Sequence, residues 1–344
     1  MPIPFVLGAL GVAAGVLGVG GHLSAKDTNE EAQRVSRNAR RLYDSEKESL
    51  EKKQEETQKV LLKLGYSKKN TLDNSMKQFL ESYERIKTVS VKSSPGLNEI
   101  SNFTIEQQDA IQLMQMADLY SSAASGAVAG AATGAVIALA VSGSLTLAVD
   151  ALSIAGSALS LGLAGTAAGL VGVAGTSLAS GLAFTPLAAV VAPALLFSGF
   201  SASSKADENL EKAQAMMEEA KEAVEKMKIS ETLCDAVAKR AQMYDVLLGE
   251  LEPMFSESVR KLQKILMKKD RAGYKKSFHS NDFSGKELEV IAVTRSLAGA
   301  VKAIIDTPIL TDDGKLTDES LEVWHNTAEK VPLFQRLYNA TDGV

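Results

Sequence analysis

One cysteine in 344 residues, Cys234, excludes an internal disulfide and a cysteine-rich zinc site. Three histidines, at 22, 279 and 325, lie too far apart for a zinc helix of the HExxH kind. Gly285-Lys286 and Gly314-Lys315 lack the spaced glycine of a phosphate-binding loop. Aromatic residues are only 5% of the chain, which leaves no stacking platform for single-stranded nucleic acid. The net charge of -5 also disfavours a general polyanion binder. These scarcities predict a chain that is not an enzyme, takes no cofactor or metal, and binds no nucleic acid.

What is abundant is apolar sequence, at 45% of residues, and it is unevenly placed. Between Asp118 and Lys205 the sole charged side chain is Asp150. Five regions follow: an apolar amino-terminal segment over 1–25, an amphipathic helical region over 26–118, a glycine-rich apolar block over 119–204, a second amphipathic region over 205–278, and a carboxyl-terminal helical subdomain over 279–344. Acidic and basic side chains balance over 26–118, as expected of solvated helix faces.

Helical periodicity dominates the flanks. Leu72, Met76, Phe79, Tyr83 and Ile86 repeat at alternating fours and threes, the spacing of a coiled-coil or bundle seam. Gly65 reads as the end of the preceding helix, with a new one starting after Asn70 or Thr71. A second seam runs through Leu210, Ala213, Met217, Ala220, Val224 and Met227. A third, capped by Ser230, carries Leu233, Val237, Ala241, Tyr244, Leu248, Leu251 and Phe255, with Pro253 expected to kink or divide it. Ser284 and Glu287 have capping-box spacing, residues 309–320 read as a turn with Gly314 at positive φ, and a last helix follows, shortened by Pro332.

The apolar block is long enough for three or four helices of about 20 residues in a bilayer. Gly126, Gly130 and Gly134 recur every fourth residue, as do Gly11 and Gly15, and Gly162, Gly165, Gly169, Gly172 and Gly175 form another small-residue face. Bare faces of this kind let membrane helices approach closely. Asp150 falls between two passes and reads as an interfacial turn. Arg260, Lys261, Lys264, Lys268, Lys269, Arg271, Lys275 and Lys276 form a basic cluster suited to anionic lipid headgroups.

The expected fold is therefore all-α: an elongated amphipathic helical bundle with a central glycine-rich apolar hairpin or membrane domain. Its order of elements resembles that of alpha-helical pore-forming proteins, through residues 123–200 and the flanks 72–86 and 210–227. The resemblance implies a membrane-inserting protein that oligomerises to permeabilise or remodel a bilayer, with membrane lipids, further copies of itself and a helical protein as partners. It implies membrane association, preceded by a soluble cytoplasmic or secreted form. Two alternatives are a constitutive membrane scaffold recruiting protein partners, and a soluble structural protein with a buried apolar hairpin.

Overall fold

The computed structural model describes residues 25–86, 88–89, 97–100, 102–103, 105, 109, 112–113, 115, 136–137, 139–141, 206–270, 277–311 and 314–343. Among them are five α-helices: α1 (Ala25–Thr71), α2 (Lys77–Ile86), α3 (Ala206–Lys269), α4 (Gly285–Asp306) and α5 (Asp318–Ala340). A π-turn over Leu72–Met76 joins α1 to α2 without a break.

The frame of the molecule is the pairing of α1 with α3. Asn29 meets Asn209, Lys53 meets Asp235, Ser67 meets Asp245 and Ser75 meets Glu252, at sequence separations of 180, 182, 178 and 177. A nearly constant separation means that the two helices run parallel and in fixed register. At 1.5 Å per residue the pairing extends on the order of 90 Å, from Asn29 to the Arg85–Asp270 ion pair. On α3, Ala213, Ala220, Met227, Cys234, Ala241, Leu248, Phe255 and Leu262 recur every seventh residue, and every one is buried. Met216, Ala223, Ser230, Val237, Tyr244, Leu251, Ser258 and Ile265 form the companion row, also buried throughout. Together they are the a and d positions of an unbroken heptad seam.

This seam corrects two expectations. Leu210 and Met217 are half-buried and flank the seam, whose second row lies one residue earlier, at Asn209 and Met216. Neither Ser230 nor Pro253 divides the helix. Pro253 is exposed and its fourth preceding residue is the exposed Gly249, so the carbonyl deprived of its amide partner sits on a solvated face. Pro332 likewise lies within α5, which continues to Ala340.

Two clusters line the α1–α3 pair. The basal one is small: Ala39, Tyr43, Leu50, Met216, Ala220, Ala223 and Met227. The other is a large core in which the upper halves of α1 and α3 pack with α2, α4 and α5 around Phe79, Tyr244, Phe255, Ile291, Val301 and Phe334. We refer to these as the stem and the head. Ser284 caps α4 in the expected box, accepting from the Glu287 amide while Glu287 accepts from the Ser284 amide at 2.7 Å. Thr317 caps α5, and Gly314 takes φ 75° in the connection between them.

The all-α bundle is as expected; the glycine-rich hairpin or membrane domain is not. The described part of the apolar block enters the protein core: Ile137, Leu139, Ala140 and Val141 belong to the head cluster, and Val136 is buried beside them. No described helix is long and apolar enough to cross a membrane. The long helices α1 and α3 are charged along their exposed faces, and α4 is interrupted by Arg295 and Lys302. The described residues thus form a packed helical body without a helix able to span a bilayer, which overturns the membrane-inserting, pore-forming reading and the lipid partnership. Gly11, Gly15, Gly126, Gly130, Gly134, Gly162, Gly165, Gly169, Gly172, Gly175 and Asp150 lie outside the described residues.

Candidate docking site around Lys68

The described apolar segment at 136–141 seats on α1 about two turns before the π-turn that follows it. There α1 passes through Gly65 without ending, contrary to the sequence expectation. A Cβ at this position would lie 2.1 Å from the Val136 carbonyl oxygen and 2.7 Å from Val136 Cγ1. Glycine is required here for close backbone approach, and the surrounding helix and its packing offset its poor propensity, about 1 kcal/mol against alanine.

One turn on, Lys68 is fully buried. Its Nζ donates to the Ile305 carbonyl at 3.1 Å and to the Ala140 carbonyl at 3.4 Å. Ile305 is in the last turn of α4, where carbonyls have no intrahelical partner, so the lysine N–H caps that end. The Tyr244 ring lies 5.9 Å from Nζ, within cation–π range. Burial drives the Lys68 ammonium down to about 7, against the opposing pull of Asp306.

Neighbouring contacts close the site. The Ile309 amide donates to the Val141 carbonyl at 2.9 Å, and the Thr317 amide to the Ile309 carbonyl at 3.0 Å. Leu310 and Leu316 form an isolated antiparallel bridge. Tyr244 Oη donates to the Ser320 carbonyl at 2.9 Å, and Arg240 reaches the Thr317 carbonyl and Ser320 Oγ. Lys302 joins Asp306 at 2.7 Å and Asp109 at 3.3 Å. Burial works against the Lys302 charge, but its bond to Asp306 and the two carboxylates hold its pKa above the ordinary value. Lys68 is thus where α1, α3, α4 and the 136–141 segment meet. Its sequence signal was available: with Leu61, Leu64 and Leu72 it follows a three-four-four spacing, placing a lysine on an apolar stripe.

The other candidates serve different ends. In the basic cluster, Arg260 pairs with Glu257 at 2.7 Å, Lys261 with Asp342 at 2.7 Å and Lys269 with Glu287 at 2.9 Å. These charges tie α3 to its own carboxylates and to the two ends of the α4–α5 unit. Lys264 and Lys268 are exposed, while Arg271, Lys275 and Lys276 lie outside the described residues. Cys234 is a seam residue whose thiol burial pushes up to about 11, unsuited to nucleophilic attack at neutral pH. Among the described residues no group of three His, Cys, Asp or Glu side chains is placed to hold a metal ion. A cavity of about 300 Å³ lies between Phe103, Ala303 and Thr327.

Comparison with family models, curated proteins and solved structures finds no match. The resemblance to alpha-helical pore-forming proteins is therefore set aside, since neither the fold nor a spanning helix among the described residues supports it.

Proposed function

We propose that this chain is a non-catalytic helical scaffold, in which a folded head holds out a parallel two-helix stem as a docking rod for a helical protein partner. The uninterrupted heptad seam of α3 against α1 carries this reading. Such a seam fixes two long helices relative to each other with little sequence spent on anything else, and its outer positions stay open to a third helix. On those outer positions Leu42 and Ile229 are exposed, Ile229 at 71%, among mostly polar and charged neighbours.

Photo-crosslinking residues introduced at Leu42 and Ile229, and at exposed Glu329 of the head as control, test the reading in the producing cell. A discrete protein adduct from both stem positions, absent from the control, is the expected result. An adduct to a second copy of the chain would make the rod self-assembling. Failure of both stem positions to form any discrete adduct would refute a docking rod.

A further inference from the structure

The head contains a fully buried ionisable group at a junction between separate segments, with no ion-pair partner among the described residues. Among the described residues Lys68 Nζ has two carbonyl acceptors, Ala140 and Ile305. Either protonation state can donate to both carbonyls, but the ammonium is fully enclosed and has no carboxylate in ion-pair contact among the described residues. The 136–141 segment contributes no ionisable side chain to compensate it. From α3 come Tyr244 and Arg240, the latter already directed at Thr317 and Ser320. From α4 come Lys302 and Asp306, and Asp109 adds a second carboxylate on Lys302. Asp318 and Glu319, in the first turn of α5, act on Arg240 and Tyr244 rather than on Lys68. Asp306 is the carboxylate that bears on Lys68, and it is shared with Lys302.

We propose that Lys68 is a proton-controlled latch: as a neutral amine it holds the 136–141 segment closed over Gly65, and on gaining a proton it loosens that closure. In the closed site Lys68 is fully buried, so a proton taken up there is poorly solvated, whereas in an opened site water solvates it. Acidification therefore favours opening. The latch concerns closure of the head and stands whether or not the stem binds a partner.

The Ile309 amide reports closure directly, because its acceptor is the Val141 carbonyl. Hydrogen exchange of that amide in the full chain, compared at each pH with Lys68→Met, removes the intrinsic pH dependence of exchange. Taking about 7 closed and an ordinary lysine open, the opening constant of the native chain relative to the variant rises about fivefold between pH 8 and pH 7. It levels off below about pH 6. Lys68→Arg, always charged, should remain in the loosened state throughout that range. A ratio to Lys68→Met that does not change with pH overturns the latch. Should both variants fail to fold, side-chain NMR titration of Lys68 in the native chain decides: titration near 7 supports the latch, and titration above 9 overturns it.

Discussion

Along one pair of helices the same heptad rule yields two unlike seams. In the stem the α3 rows are filled by Ala213, Ala220, Ala223, Met216 and Met227, whereas in the head the same rows carry Tyr244, Leu248, Leu251, Phe255, Leu262 and Ile265. An alanine in place of a leucine forgoes about three buried carbons, on the order of 2 kcal/mol per position. The stem thus gains register and straightness from its seam, and the head gains most of the stability. Opening by exchange or proteolysis should start in the stem and reach the head last. A rod whose seam is lean and whose end is firmly packed suits a docking element anchored by a domain.

The largest expected effect breaks the firm side of that comparison. Phe255 is fully buried against Phe79 at a ring separation of 5.8 Å, at a heptad position equivalent to Ala220. Phe255→Ala should remove about 4 kcal/mol in denaturant unfolding, while Ala220→Gly, which forgoes mainly helix propensity, removes about 1 kcal/mol. Similar losses at the two sites would mean that head and stem unfold as one unit of uniform strength.

Gly65→Ala is expected to come next, and its sign is diagnostic. By helix propensity alone the substitution stabilises by about 1 kcal/mol. Against the Val136 carbonyl the new methyl has no room, so a net loss of about 2 kcal/mol should appear, with faster exchange at the Ile309 amide. A stabilised variant with unchanged Ile309 protection would show that the 136–141 segment does not rest on α1.

A third effect is the pH dependence of the head. In the folded chain Lys68 titrates at about 7, below its unfolded value of 10.5, so above pH 7 the unfolded chain holds more protons than the folded one. Unfolding free energy then rises with pH by up to about 1.4 kcal/mol per unit. The usable window is pH 7 to 9, because Cys234 acts oppositely above it: its thiol loses a proton near 9 when unfolded and near 11 when folded. Lys68→Met should flatten the rise in a urea series, and an equally steep rise in that variant would place its origin elsewhere.

These sites differ in how openly the sequence announced them. Periodicity and caps are local, so the seam from Leu72 to Ile86, the Ser284–Glu287 box and the Gly314 turn could be read directly. Tertiary packing overruled local rules elsewhere. Gly65 looks like a helix stop until the Val136 backbone is placed against it, and Pro253 looks like a break until its partner carbonyl is seen to face solvent. The charge-poor block looked like membrane sequence because a buried core segment and a lipid-facing one have the same composition. Only the location of Val136 to Val141 within the head distinguishes them there. Parallel pairing of α1 with α3 was not readable either, since heptads specify a seam and not the direction of the helix across it.

The smallest effect sharpens the lean side. Asn209 occupies a heptad d position at the base of the stem, buried, with its amide nitrogen donating to Asn29 Oδ1 at 3.2 Å and its own Oδ1 without a hydrogen-bond partner among the described residues. A buried acceptor without a partner is destabilising, while an Asn–Asn contact across parallel helices penalises every register but one. Asn209→Leu should therefore raise stem stability by about 1 kcal/mol and loosen its alignment. The second consequence separates this account from simple hydrophobic gain. With Cys234 replaced by alanine, cysteines introduced at Lys53 and Asp235 should cross-link in native register when Asn209 is present. In the Asn209→Leu background that yield should fall, with partial recovery when the cysteine on α3 is moved one heptad to Gln242. An unchanged yield would assign the register to the head alone, and the stem would then be straight because it is anchored at one end.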